Sequence, residues 1–64
     1  MMVNGRNENV AEGMTAKEYL DKHGYDASKT AILLNGKIVP RAEFGSTPLS
    51  DGDSMEIVSF VGGG

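Results

Sequence analysis

The chain has 64 residues, with six Lys and Arg against nine Asp and Glu, one histidine, no cysteine, no tryptophan and a formal net charge of −3. Such a length holds one small domain that buries only about 60% of the surface its unfolded form exposes, so Met, Ile, Leu and Val must supply an efficiently packed core. The missing cysteine removes a disulfide framework, a thiolate nucleophile and the usual zinc sites. A lone His23 makes neither a metal site nor a triad.

A pI near 4.8 and scattered basic residues argue against nucleic acid as a partner, because phosphate binding needs a concentrated Lys/Arg surface. No apolar run approaches the roughly 18 residues of a membrane span. The opening Met1-Met2-Val3-Asn4-Gly5-Arg6 turns polar at once, so neither signal peptide nor anchor is expected. The expected compartment is the cytoplasm, with which the lack of cysteine is consistent. Hydrophobic content of 39% with 23% charged residues lies well away from the composition of disordered chains.

In chain order, Met1 to Val3, Asn4-Gly5 and Arg6 to Val10 read as a hairpin, because Asn-Gly readily takes the positive φ of a type I′ turn. Thr15-Ala16-Lys17-Glu18 has capping-box spacing and starts a helix. Ala16, Tyr19, Leu20 and His23 then form one stripe, with Lys17, Glu18, Asp21 and Lys22 on the wet face. Glu18 and Lys22 are spaced as an i,i+4 ion pair. Positive charge in the last turn and Gly24 at the left-handed position end the helix near His23.

Thr30 to Leu34, Asn35-Gly36 and Lys37 to Val39 form the clearest hairpin, with β-branched residues on both arms. Pro40 stops the second arm. Arg41 to Pro48 is a connector anchored by Phe44 and Leu49, and Ser50-Asp51-Gly52-Asp53 is a tight turn that lacks the further carboxylates of a calcium loop. The last strand runs from Ser54 to Phe60. Met55 and Ile57 are expected to face the helix, while Glu56, Val58 and Phe60 share the opposite face.

Two strands, a helix and three more strands predict an α+β, ubiquitin-like β-grasp fold, a small mixed sheet packed on one helix. The domain is expected to span residues 1–61, followed by a tail at 62–64. Gly62-Gly63-Gly64 has no side chains to pack, and no helix follows to make it a phosphate loop. A chain ending there presents an ionised carboxylate on an arm that reaches about 13–14 Å beyond Phe60. Glycine suits a narrow channel because walls can close on the backbone. Terminal glycines are also common as frayed ends; the β-grasp pattern running straight into them favours the functional reading.

The opening Val3-Asn4-Gly5, Gly13-Met14-Thr15, Leu34-Asn35-Gly36-Lys37-Ile38-Val39-Pro40-Arg41, Leu49-Ser50-Asp51-Gly52-Asp53 and Val61-Gly62-Gly63-Gly64 together resemble the ThiS family, the ubiquitin-like sulfur carriers of thiamine biosynthesis, within the broader group that includes MoaD. The resemblance covers essentially the whole chain; Gly62 adds a third glycine to the pair the chemistry requires.

What the resemblance implies is a carrier without catalytic machinery or a bound cofactor of its own. A ThiF-like adenylyltransferase would use ATP and Mg²⁺ to adenylate the Gly64 carboxylate, a persulfide donor would displace AMP to leave a thiocarboxylate, and a ThiG-like thiazole synthase would take the sulfur. Gly62 and Gly63 would thread the partner's channel. Val58, Phe60 and Val61 are the docking candidates, with Phe44 a weaker one, because exposed apolar groups beside a functional tail mark a partner site. His23 is expected to serve only as a helix end, and Arg41 is open between a structural and a docking role. The alternatives are a MoaD-like carrier for another pathway, a protein modifier joined through Gly64, and an interaction module with an inert tail.

Overall fold

The structure, a computed structural model, describes residues 1–60; the expected tail at 62–64, and Val61 at the end of the expected domain, lie outside the described residues. β1 (Met2–Val3) and β2 (Arg6–Asn7) flank the turn Asn4-Gly5, where both residues have positive φ. The second arm is shorter than its sequence suggested: the pairing closes where Glu8 N–H donates to Met1 O at 2.8 Å, and Val10 packs against the core from a loop.

α1 (Ala16–Lys22) is capped by Thr15. Thr15 Oγ1 accepts from the Glu18 N–H at 3.2 Å, and Glu18 Oε1 accepts from the Thr15 N–H at 2.9 Å, which satisfies two orphan donors reciprocally. Because that carboxylate is engaged at the cap, the expected Glu18–Lys22 pair is replaced by Lys17–Asp21 at 3.2 Å. At the other end Tyr25 N–H donates to Leu20 O at 2.9 Å and Gly24 N–H to Asp21 O at 3.3 Å, with Gly24 at φ +75°, completing a Schellman motif.

A 3-10 turn, Ala27–Lys29, leads into β3 (Thr30–Leu34), which returns through Asn35-Gly36 as β4 (Lys37–Val39). Both turn residues have positive φ, 53° and 81°, as a type I′ hairpin demands. The connector contains a second 3-10 helix, Arg41–Ser46, before β5 (Ser54–Ser59).

The five strands lie in the order β2-β1-β5-β3-β4, with β1 parallel to β5 and the remaining pairs antiparallel. Helix α1 covers one face. Its buried residues Ala16, Tyr19 and Leu20 join Met1, Val3, Ile32, Phe44, Leu49, Met55 and Ile57 in one apolar cluster. Of the expected stripe, His23 alone stays out; it is the exposed C-cap, stacked on Tyr19 with ring centroids 4.1 Å apart.

Candidate functional site

Alternation along β5 sends Met55 and Ile57 into the core and leaves Glu56 and Val58 on the opposite face, with Phe60 just beyond the strand. Register carries that face across the neighbouring strands. Ala31 is opposite Val58, Leu33 opposite Glu56 and Ile38 opposite Leu33, and on the other side Met2 pairs with Ser54. The large apolar side chains exposed among the described residues are Ile38 at 75%, Phe60 at 56%, Val58 at 48% and Met2 at 40%. All four lie on this outer face, and half-buried Leu33 and Ala31 fill the ground between them.

The strand that runs toward the tail is held at each stage. At its start the Asn35 carboxamide accepts from the Ser54 N–H at 2.9 Å and donates to Asp53 Oδ1 at 3.0 Å. Midway, where β1 has already ended, Asn4 Oδ1 accepts from the Ile57 N–H at 2.7 Å and takes over the ladder. At the far end Phe60 N–H donates to Lys29 O at 2.7 Å, so pairing with the β3 side extends one residue past the strand. Phe60 is therefore held at a fixed position on the body.

Lys29, whose carbonyl accepts from Phe60, belongs to a turn that also holds Asp26 and is tied to Arg41. Arg41 Nε donates to Ala27 O at 2.9 Å, which ties the connector to the turn before β3 and gives this arginine a structural role. Asp26 accepts from the Ser28 hydroxyl at 2.6 Å and the Ser28 N–H at 2.9 Å. These two bonds, aided by Lys29 and Arg41, hold its carboxyl below the usual range. Tyr19 is shifted in the other direction: burial raises its phenol, with Glu8 and Tyr25 adding to the effect.

Of the docking candidates, Val58 and Phe60 lie exposed on the outer face, whereas Phe44 does not. Phe44 is only 2% exposed, because the 3-10 helix that carries it packs against α1 and turns the ring into the core. It is an anchor and has no surface to offer a partner. Val61, Gly62, Gly63 and Gly64 lie outside the described residues. Sequence reasoning missed Ile38, Leu33, Ala31 and Met2 as members of this face. The available signal was the register of the Asn35-Gly36 hairpin, which sets Ile38 opposite Leu33. Among the described residues no cluster of His, Cys, Asp or Glu is arranged to hold a metal ion, and no helix is long and apolar enough to cross a membrane.

The family model described as the ThiS family matches residues 1–64. The chain belongs to the ThiS family. The crystal structure of the thiamine biosynthesis protein ThiS from Geobacter metallireducens superposes with a TM-score of 0.82 at 35% identity, over 98% of this chain and 96% of that one. The sulfur carrier protein ThiS of Thermus thermophilus is 40% identical over 53 residues, 83% of each chain. A thiazole synthase of Paramagnetospirillum magneticum is 38% identical over 64 residues, all of this chain and 20% of that protein. The chain thus spans about a fifth of the length of the thiazole synthase that it matches. The five-stranded mixed sheet with one helix is the β-grasp fold of ThiS.

Proposed function

We propose that this chain carries sulfur for thiazole formation in thiamine biosynthesis, loaded at the carboxyl group of Gly64. The observation that supports this reading most directly is the match to the ThiS family over residues 1–64, a span that includes Gly62-Gly63-Gly64.

In this reading a ThiF-like adenylyltransferase binds ATP and Mg²⁺, and the carrier itself holds no cofactor. A Gly64 carboxylate oxygen attacks the α-phosphorus of ATP and pyrophosphate leaves. The terminal sulfur of a donor persulfide then attacks the activated carbonyl, and AMP departs with the oxygen. A thiol then attacks the donor's sulfur in the acyl disulfide so formed, joining the donor in a disulfide and releasing the other sulfur, with the bond's electron pair, as a thiocarboxylate on Gly64. A ThiG-like thiazole synthase accepts that sulfur. Matches to proteins named thiazole synthase support this choice of acceptor.

The chain's own contribution is presentation. Val58 and Phe60, continued by Val61, dock the body on the enzyme, and Gly62 and Gly63 pass through a channel that leaves no room for a Cβ. The setting is the cytoplasm, where ATP and persulfide donors meet. Capping the Gly64 carboxylate as an amide tests the reading: loading is lost with the adenylyltransferase and donor present, because no carboxylate oxygen remains to attack ATP, while the thermal midpoint stays that of the uncapped chain. A capped chain that still accepts sulfur overturns it.

A further inference from the structure

Within the paired strands the outer face carries one charge, Glu56; the nearest basic residue along the register, Lys29, lies beyond β3 beside Phe60. Register sets Glu56 directly beside Leu33, with Ile38 one strand further out and Val58 two residues along the same strand. Strand spacing puts Leu33 about 5 Å from Glu56 and Val58 about 7 Å away. Among the described residues the Glu56 carboxylate makes neither a hydrogen bond nor an ion pair; the one salt bridge there joins Lys17 and Asp21, on the helix. Glu56 stands exposed, and the core side of β5 is complete without it.

A surface that covers Leu33, Ile38, Val58 and Phe60 cannot avoid Glu56, which stands directly beside Leu33 and two residues before Val58 on one strand. Sealing an ionised carboxylate against apolar groups costs more than the surrounding apolar contact returns, unless the carboxylate is paired there. Two copies of this chain are a poor solution, because each carries a net charge of −3 and repels the other. We infer that the enzyme surface docking on this face brings one guanidinium or ammonium group to Glu56, inside a ring of apolar contacts. The inference rests on the docking role given above to Val58 and Phe60, and it adds the chemistry of the partner: an apolar surface with a single fixed cation. A paired carboxylate amid apolar groups also fixes the rotation of the carrier on its enzyme, which apolar contacts alone leave loose.

The test measures the affinity of the full chain for the adenylyltransferase and for the thiazole synthase, at low and high salt, with Val58→Asp, Glu56→Gln and Glu56→Lys. Val58→Asp should abolish binding, Glu56→Gln should weaken it about tenfold, and Glu56→Lys should weaken it by about a hundredfold or more. Salt should weaken the wild-type complex more than the Glu56→Gln complex. Loss of binding in Val58→Asp with wild-type affinity in both Glu56 variants leaves the docking face standing and overturns the cation. Wild-type binding by Val58→Asp for both enzymes overturns the docking face and the inference together. A Glu56→Gln chain that keeps wild-type affinity for its enzymes but sediments as a dimer assigns Glu56 to keeping copies apart, and overturns the pairing as well.

Discussion

Phenylalanine occurs at two positions, one inside the core and one on the surface. Phe44 is 2% exposed and holds the Arg41–Ser46 segment against α1, whereas Phe60 is 56% exposed at the end of the tail-bearing strand. Truncating a fully buried Phe to Ala removes its transfer free energy and leaves a cavity, together about 3–5 kcal/mol. A domain of this length is stabilised by roughly 3–10 kcal/mol in total, so Phe44→Ala should consume a large part of it and lower the melting temperature on the order of 20 °C. Phe60→Ala should change stability by no more than about 0.5 kcal/mol, yet weaken binding to the enzymes that load and unload the carrier. Thermal and urea unfolding followed by circular dichroism, paired with a binding titration at a temperature where both variants are folded, separates the two effects. Near-wild-type melting of Phe44→Ala with loss of binding would refute the assignment of Phe44 to the core. A Phe60→Ala chain that melts as early as Phe44→Ala would refute the outer face as a free surface.

Two electrostatic predictions accompany it. In Asn35→Asp, a carboxylate oxygen replaces the amide nitrogen that now donates to Asp53 Oδ1 at 3.0 Å. The substitution should cost about 1–2 kcal/mol at neutral pH, and the loss should shrink in acid, where protonation lets one carboxyl donate to the other; urea midpoints across pH read it. For Asp26, the folded carboxyl lies below its unfolded value, so its stabilising contribution is present above the ordinary carboxylate range and is lost as pH falls through the folded value. The stability difference between wild type and Asp26→Asn should therefore be greatest near neutrality and narrow in acid; a pH-independent difference would contradict the Ser28 bonds as its source.

Where residue type alone decides the local geometry, the sequence was enough to read it. Thr15 and Glu18 announce a reciprocal cap, Gly24 the left-handed stop, Asn4-Gly5 a turn of positive φ and Asn35-Gly36 a hairpin, and all four are present. The alternation of Ser54 to Ile57, carried one residue further, also identified Val58 as outward and Met55 and Ile57 as inward. Choices among competing partners were not legible. Glu18 had both Thr15 and Lys22 in reach, and the cap won because it satisfies backbone donors that otherwise have no partner. Thr30 to Leu34 and Lys37 to Val39 are apolar on both faces, so their pattern gives no direction, and Ile38 and Leu33 join the outer face only through pairing with β5. Phe44 follows no period; the sequence leaves it between an anchor of the connector and a weaker docking residue, and the packing of its 3-10 helix on α1 decides for the core. The parallel pairing of β1 with β5 joins opposite ends of the chain and is equally invisible in local pattern.

The central claim concerns a chemical change at one residue, and mass spectrometry of the intact protein and its C-terminal fragment addresses it most directly. After incubation with ATP, Mg²⁺, a ThiF-like adenylyltransferase, a persulfide donor and a thiol, the fragment containing Gly64 should gain the mass difference between sulfur and oxygen, and omitting ATP should abolish the gain. An unchanged fragment with enzymes shown to be active on another ThiS protein would contradict the account.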